Sequence, residues 1–205
     1  MGYIEDLSSG SSPKVRGAAQ KIIKDRISGH CQALEKALAI EVEKPKAWQS
    51  QSKLVRALGV ADCKSAAPYL RKLMHEKYNG TIVYRELAFS IALLDDISAD
   101  NLTFAYEIFE ARQVMPIAGV CAAILYEEIV PSSDDIQKIL SFLPLYTSDE
   151  GGVISPRMFI AAAAYHWPIE VVREFLNDCL QSESQTLIEI AHDVLDGKKP
   201  GVQLI

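Results

Sequence analysis

Leu54-Val55-Arg56-Ala57-Leu58-Gly59, a short turn, and then Ala66-Ala67-Pro68-Tyr69-Leu70-Arg71-Lys72-Leu73 decide how this chain is read. Leu54 and Leu58 stand four residues apart and Leu70 and Leu73 three apart, spacings that place each pair on one face of a helix. Proline is tolerated in a first helical turn, so Pro68 suits the start of the second helix. Glycine suits a left-handed C-cap, so Gly59 reads as the end of the first. The stretch is therefore two amphipathic helices joined by a turn. One such pair cannot bury its apolar stripe alone.

The same pattern extends in both directions. Closing segments like 54–59 recur at 23–28, 90–95, 122–127, 161–166 and 191–196, anchored on Ile27, Leu58, Leu94, Tyr126, Tyr165 and Leu195 at intervals of 31, 36, 32, 39 and 30 residues. After each of the first five comes a turn and a second apolar pattern: Leu34/Leu38, Leu70/Leu73, Ile108/Phe109, Ile139/Leu140/Leu143 and Phe175/Leu176/Leu180. Breaks fall at Ser12-Pro13, Gly29, Pro45, Gly59, Asn79-Gly80, Asp95-Asp96, Met115-Pro116, Val130-Pro131, Gly151-Gly152, Trp167-Pro168 and Ser182, which predicts about eleven helices of 10 to 17 residues. No β-branched alternation lasts long enough to predict a sheet. Two helices in a period of 30–39 residues predict an α-solenoid.

Residues 45–76, where an aliphatic helix ends in Leu58-Gly59 and an Ala-x-x-Leu helix follows, resemble a HEAT or HEAT-like repeat. Elsewhere Asp95, Glu127, His166 and Asp196 replace Gly59, and the likeness is approximate. The resemblance implies an all-α fold: a short right-handed α-solenoid of about five HEAT-like helix pairs plus a C-terminal capping helix. A non-repeating helical bundle is the competing architecture. Residues 1–11, rich in serine, are expected to be a flexible lead-in to a single domain at 12–205. Leu58, Leu70, Leu94, Phe109, Ile124, Leu140, Phe159 and Phe175 are the expected core.

The 205 residues carry 21 Lys/Arg and 27 Asp/Glu, a net charge of −6, with 49% apolar residues. This balance excludes a disordered, collagen-like or disulfide-miniprotein chain. The charge is unevenly placed: residues 1–78 hold 14 basic against 8 acidic side chains, and residues 79–205 hold 7 against 19. The acidic start Met1–Asp6, with no apolar run behind it, and the absence of any apolar stretch near the roughly 20 residues of a membrane helix predict a cytoplasmic chain with no membrane partner. Cys31, Cys63, Cys121 and Cys179 lie far apart with no metal-ligand spacing, and are expected as buried thiols in a reducing compartment.

No phosphate-binding loop, dinucleotide fingerprint, zinc-protease motif or nucleophile elbow is present. His30, His75, His166 and His192 are scattered. HEAT-repeat iron hydroxylases gather several His-Glu dipeptides around two irons, whereas this chain has one, His75-Glu76, so no metal or other cofactor is expected. His166, between Tyr165 and Trp167, reads as a helix-end histidine rather than a catalytic one. The doublets Asp95-Asp96, Glu127-Glu128 and Asp134-Asp135 sit at turns or helix starts. There acids cap and complement the helix dipole, and adjacent residues diverge by about 100° on a helix. Alkylpurine DNA glycosylases of the HEAT-like fold use a basic concave face, a catalytic Asp and aromatics. Here only Trp48 and Trp167 supply indoles, and the basic residues Lys14, Arg16, Lys21, Lys24 and Arg26 occupy one end. Nucleic acid is thus not the expected partner.

In HEAT-like arrays the second helices line the concave, binding side. Projected onto it are Tyr106, Glu107, Glu110, Asp134, Asp135, Gln137, Glu170, Glu174 and Asp178, an acidic row over about three units. Such a field speeds encounter with a basic partner more than it adds affinity. The expected role is non-catalytic binding of another protein with a basic surface. The concrete form is an immunity-type protein that neutralises a nuclease-like bacterial toxin domain by occlusion, acting as a monomer. The alternatives are a glycosylase-type DNA-binding enzyme and a general scaffold or adaptor.

Overall fold

The structure is a computed structural model and describes residues 2–78, 81–143 and 155–201; the expected breaks at Asn79-Gly80 and Gly151-Gly152 lie outside them. The described residues form twelve α-helices: α1 (Gly2–Leu7), α2 (Ser12–Lys24), α3 (Cys31–Val42), α4 (Trp48–Val60), α5 (Ala67–Glu76), α6 (Ile82–Leu94), α7 (Thr103–Ala111), α8 (Val114–Tyr126), α9 (Ser133–Ser141), α10 (Pro156–Ala163), α11 (Ile169–Cys179) and α12 (Gln185–Leu195). Among them there is no strand beyond an isolated bridge between Ser98 and Asn101. The all-α expectation holds. The helices are shorter than expected, none exceeding 13 residues.

The stretch 1–11 differs from the flexible lead-in expected of it. It carries α1, which packs on α2 and α3 with Leu7 buried, and Lys44 Nζ donates to Gly10 O at 2.9 Å. Tyr3, Ile4 and Leu7 give this short segment an apolar side that outweighs its serines. The chain then divides into two compact units, 1–96 and 97–205, with the boundary inside the stretch read as one domain.

In the first unit α2, α4 and α6 pack in succession, with α3 against α4 and α5 against α6. The middle row is buried nearly all round: every residue from Leu54 to Gly59 and from Glu86 to Ala92 is inaccessible. Two charges lie in that row. Arg56 Nη1 stands 3.3 Å from Glu86 Oε2, both side chains under 5% exposed, and the Arg56 guanidinium covers the Phe89 ring at 4.2 Å. Arg85 Nε reaches the other Glu86 oxygen at 3.0 Å. In the second unit α8, α10 and α12 pack in succession; α7 lies on α8, and α11 packs on α12 and on α9.

The helix ends share a repeating geometry: the anchors Leu94, Tyr126 and Leu195 precede it by two residues, whereas Ile27 and Leu58 fall out of that register. Arg26, Asp62, Asp96 and Glu128 all adopt left-handed backbone (φ 47° to 57°), as does Gly197. After α2, α4, α8 and α12 the next amide closes onto a carbonyl in the helix: Ile27 N to Ile22 O, Cys63 N to Leu58 O, Ile129 N to Ile124 O and Lys198 N to Asp193 O. This Schellman geometry satisfies carbonyls that would otherwise be orphaned. The equivalent positions are Arg26, Asp62 and Asp96 in the first unit and Glu128 and Gly197 in the second. Gly59 is therefore not the cap: α4 runs through it to Val60, and the left-handed residue is Asp62. Pro116 lies in the first turn of α8, which starts at Val114, two residues before the expected break.

Two of the four cysteines depart from expectation. Cys31 at the start of α3 and Cys63 just after the α4 cap are joined in a disulfide, with Cα atoms 5.3 Å apart. Their separation is 32 residues, and the packing of α3 against α4 brings the two together. Cys121 and Cys179 are buried free thiols, as expected; burial raises both, Cys179 to about 11. Of the expected core, Leu58, Leu70, Leu94, Phe109, Ile124 and Phe159 are buried. Leu140 and Phe175 are partly exposed, because α9 and α11 turn Ile136/Ile139 and Val172/Leu176 inward instead.

Candidate functional site

The acidic row begins with a local capping arrangement. Ser132 is the N-cap of α9: its hydroxyl accepts from Asp135 N at 3.1 Å and donates to Asp135 Oδ2 at 2.5 Å. Asp134 and Asp135 thus occupy the first turn, where the unpaired amides favour negative charge. From α7 the Tyr106 hydroxyl donates to the second oxygen of Asp135, and Lys138, one turn further along α9, holds its ammonium 3.5 Å from the centre of the Tyr106 ring. The Ser132 and Tyr106 hydroxyls hold the Asp135 carboxyl below the usual carboxylate range. Burial, and then the Asp135 carboxylate, raise the Tyr106 phenol.

Tyr106 and Asp135 therefore tie α7 to α9, and α9 packs on α11, so the three acid-bearing helices are neighbours. Glu107, Glu110, Asp134, Glu170 and Glu174 are exposed, as is Gln137. Glu170 lies in the first turn of α11, with the favourable dipole sense. Asp178 differs: it accepts from Arg157 Nη2 at 2.6 Å, an ion pair that joins α11 to α10 and uses up its charge. Five carboxylates on these three helices are thus open, while Tyr106 and Asp135 satisfy one another.

The other singled-out residues are structural. Asp95 pairs with Arg71, and Asp96 with Lys64, whose ammonium also donates to Leu94 O at 3.0 Å. Glu127 and Glu128 form the C-terminal cap of α8. The His166 ring packs edge-on against Tyr165 at 4.5 Å, with its Nε2 buried. His75 and His192 are exposed, and the Tyr3 hydroxyl lies 3.3 Å from His30 Nε2. Among the described residues no three His, Cys, Asp or Glu side chains are placed to hold a metal ion, and no helix is long and apolar enough to cross a membrane.

The two tryptophans have opposite surroundings. Trp167 is buried, its Nε1 donating to Ile129 O at 3.2 Å, whereas Trp48 is 50% exposed on the first turn of α4. The sequence signal for the latter is its place two residues after Lys44-Pro45-Lys46, a charged, proline-bearing turn that gives an indole little to pack on. The chain matches no family model, no curated protein and no solved structure.

Proposed function

We propose that this chain is a non-catalytic protein-binding module that occludes a basic surface of another protein through α7, α9 and α11. The favoured partner class is a nuclease-like toxin domain, which would make this an immunity-type protein acting as a cytoplasmic monomer. The alternating helix rows and recurring left-handed caps support reading the chain as a HEAT-like array of about five pairs closed by α12. The observation that carries the role is the set of open carboxylates Glu107, Glu110 and Asp134 on α7 and α9, the two helices tied by the Tyr106–Asp135 hydrogen bond. The second unit supplies the wider field: residues 97–205 hold 6 basic against 16 acidic side chains. A nuclease cleft carries lysines and arginines for phosphate, so an acidic face is complementary to it. Occlusion over an interface of about 1,600 Å² needs no chemistry.

The test is affinity capture from the native host with the wild-type chain and with the Glu107→Lys/Glu110→Lys/Asp134→Lys variant. A basic nuclease domain retained by the wild type and lost from the helical, folded variant supports the reading. Equal retention of that domain by both overturns the acidic face as its docking site.

A further inference from the structure

The acidic helices hold a cation of their own. α7 carries no basic residue and α9 carries a single one, Lys138. Asp134 and Asp135 lie four and three residues before it, the spacings at which helical ion pairs form. Among the described residues Lys138 nevertheless makes no ion pair. Its exposed side chain crosses to α7 instead, where the ammonium lies 3.5 Å from the centre of the Tyr106 ring. That is well inside the roughly 6 Å at which a ring face attracts a cation. Phe104 and Phe109 of α7 are buried and Tyr106 is half-buried, so Tyr106 is the aromatic side chain of this helix that a charge from outside can reach. Its hydroxyl donates to Asp135, and donation to a carboxylate polarises the phenol and makes the ring face more negative. Tyr106 and Asp135 together receive one positive charge, and the chain fills that place with its own lysine.

We propose, resting on α7, α9 and α11 as the docking face, that Tyr106 with Asp135 is the subsite for an arginine side chain of the basic partner. Lys138 is its placeholder, lifted off the ring when the arginine docks. Arginine is the class that fits. A lysine from outside offers the same point charge as Lys138 but lacks the tether that concentrates Lys138 at the ring, so it does not displace it. A guanidinium is planar and more weakly hydrated than an ammonium. It stacks on the ring face while its fork of donors reaches carboxylate oxygens, a combination an ammonium cannot match. Asp135 supplies such oxygens, and Asp134 stands beside it in the first turn of α9. The placeholder therefore makes the face selective: lysine-rich surfaces meet an occupied ring, and arginine exchanges with its occupant.

Nuclear magnetic resonance of the whole chain reads the exchange directly, because a methylene held over an aromatic face resonates upfield. The Lys138 ε-methylene signal is expected upfield of the other lysines in the free chain. Saturation with a hexa-arginine peptide at low salt should return it to the ordinary lysine position. Hexa-lysine should leave it in place and bind about two- to fivefold more weakly, the size of one exposed cation–π contact. Tyr106→Leu should erase that preference for arginine and Tyr106→Phe should keep most of it, with circular dichroism confirming that both variants fold. A Lys138 signal that stays upfield at saturating hexa-arginine overturns the subsite and leaves the acidic face standing. So does an ordinary Lys138 position in the free chain, or equal affinity and equal displacement by hexa-lysine. No saturable binding of hexa-arginine overturns the subsite and the acidic face together.

Discussion

Gly59 and Ser90 touch so closely that a Cβ built on Gly59 would stand 2.8 Å from Ser90 Cα. Ser90 Oγ donates to Val55 O at 2.8 Å across the same contact, so α4 and α6 meet backbone to backbone. Gly59→Ala pushes a methyl against main chain that cannot rotate away. It is expected to destabilise the first unit by about 3 kcal/mol, at the upper end of overpacking. Gly17, in α2 with nothing within 4 Å of its Cβ position, is the control. Gly17→Ala should stabilise by up to about 1 kcal/mol. Urea unfolding of the two variants distinguishes a packing glycine from a merely flexible one.

The Cys31–Cys63 bond closes a loop of 32 residues' separation. Its loss should cost about 3–4 kcal/mol through the freed unfolded chain. Thermal melts with and without reductant should show that drop in the wild type and none in Cys31→Ala/Cys63→Ala. Alkylation under denaturing conditions of protein taken directly from cells should label two thiols where the bond forms. Four labelled thiols is the result a reducing cytoplasm gives.

Arg56 and Glu86 form a buried pair between two helices. Arg56→Met leaves Glu86 in the core with only Arg85, and should cost about 3 kcal/mol. Arg56→Met/Glu86→Leu should recover most of it, because two desolvated charges are removed together. A double-mutant cycle by denaturant unfolding measures the recovery.

Glu128 holds left-handed backbone at φ 52° with no glycine to ease it. Relieving the clash between Cβ and carbonyl at this exposed cap, Glu128→Gly should stabilise by about 0.5–1 kcal/mol. Glu128→Val should lower the melting temperature, as the branched side chain suffers most from that conformation.

The Tyr106–Asp135 hydrogen bond carries a pH signature. Asp135 is lowered in the folded chain, so its contribution is present above the ordinary aspartate pKa and lost as pH falls through the lower folded value. Tyr106 is raised, so its contribution is complete below the ordinary tyrosine pKa and lost as pH rises through the folded one. Tyr78, half-buried and donating to Gln51 Oε1 at 2.9 Å, is pushed up to about 12, and its share fades between about pH 10 and 12. Asp135→Asn should flatten the acid limb of stability against pH, and Tyr78→Phe the alkaline limb. Nuclear magnetic resonance titration of the Asp135 carboxyl gives the sign directly.

The helical periods and the apolar pairs such as Leu34/Leu38 and Leu70/Leu73 were legible from the chain, because a helix writes its buried face into local spacing. So were the acidic doublets as turn and cap residues. What remained hidden was register. Arg26, Asp62, Asp96 and Glu128 stand at unequal offsets from the apolar anchors Ile27, Leu58, Leu94 and Tyr126, and only their shared backbone angle shows them to be equivalent. The paired cysteines and the neutralised Asp178 were invisible for the same reason. Each depends on which residue from elsewhere in the chain arrives opposite, across 32 residues for Cys31 and 21 for Asp178. The sequence by itself determined an all-helical chain with a basic beginning and an acidic remainder. Only the tertiary structure decided which of those charges are spent on one another and which stay open, since pairing is a property of distance in space and composition carries none.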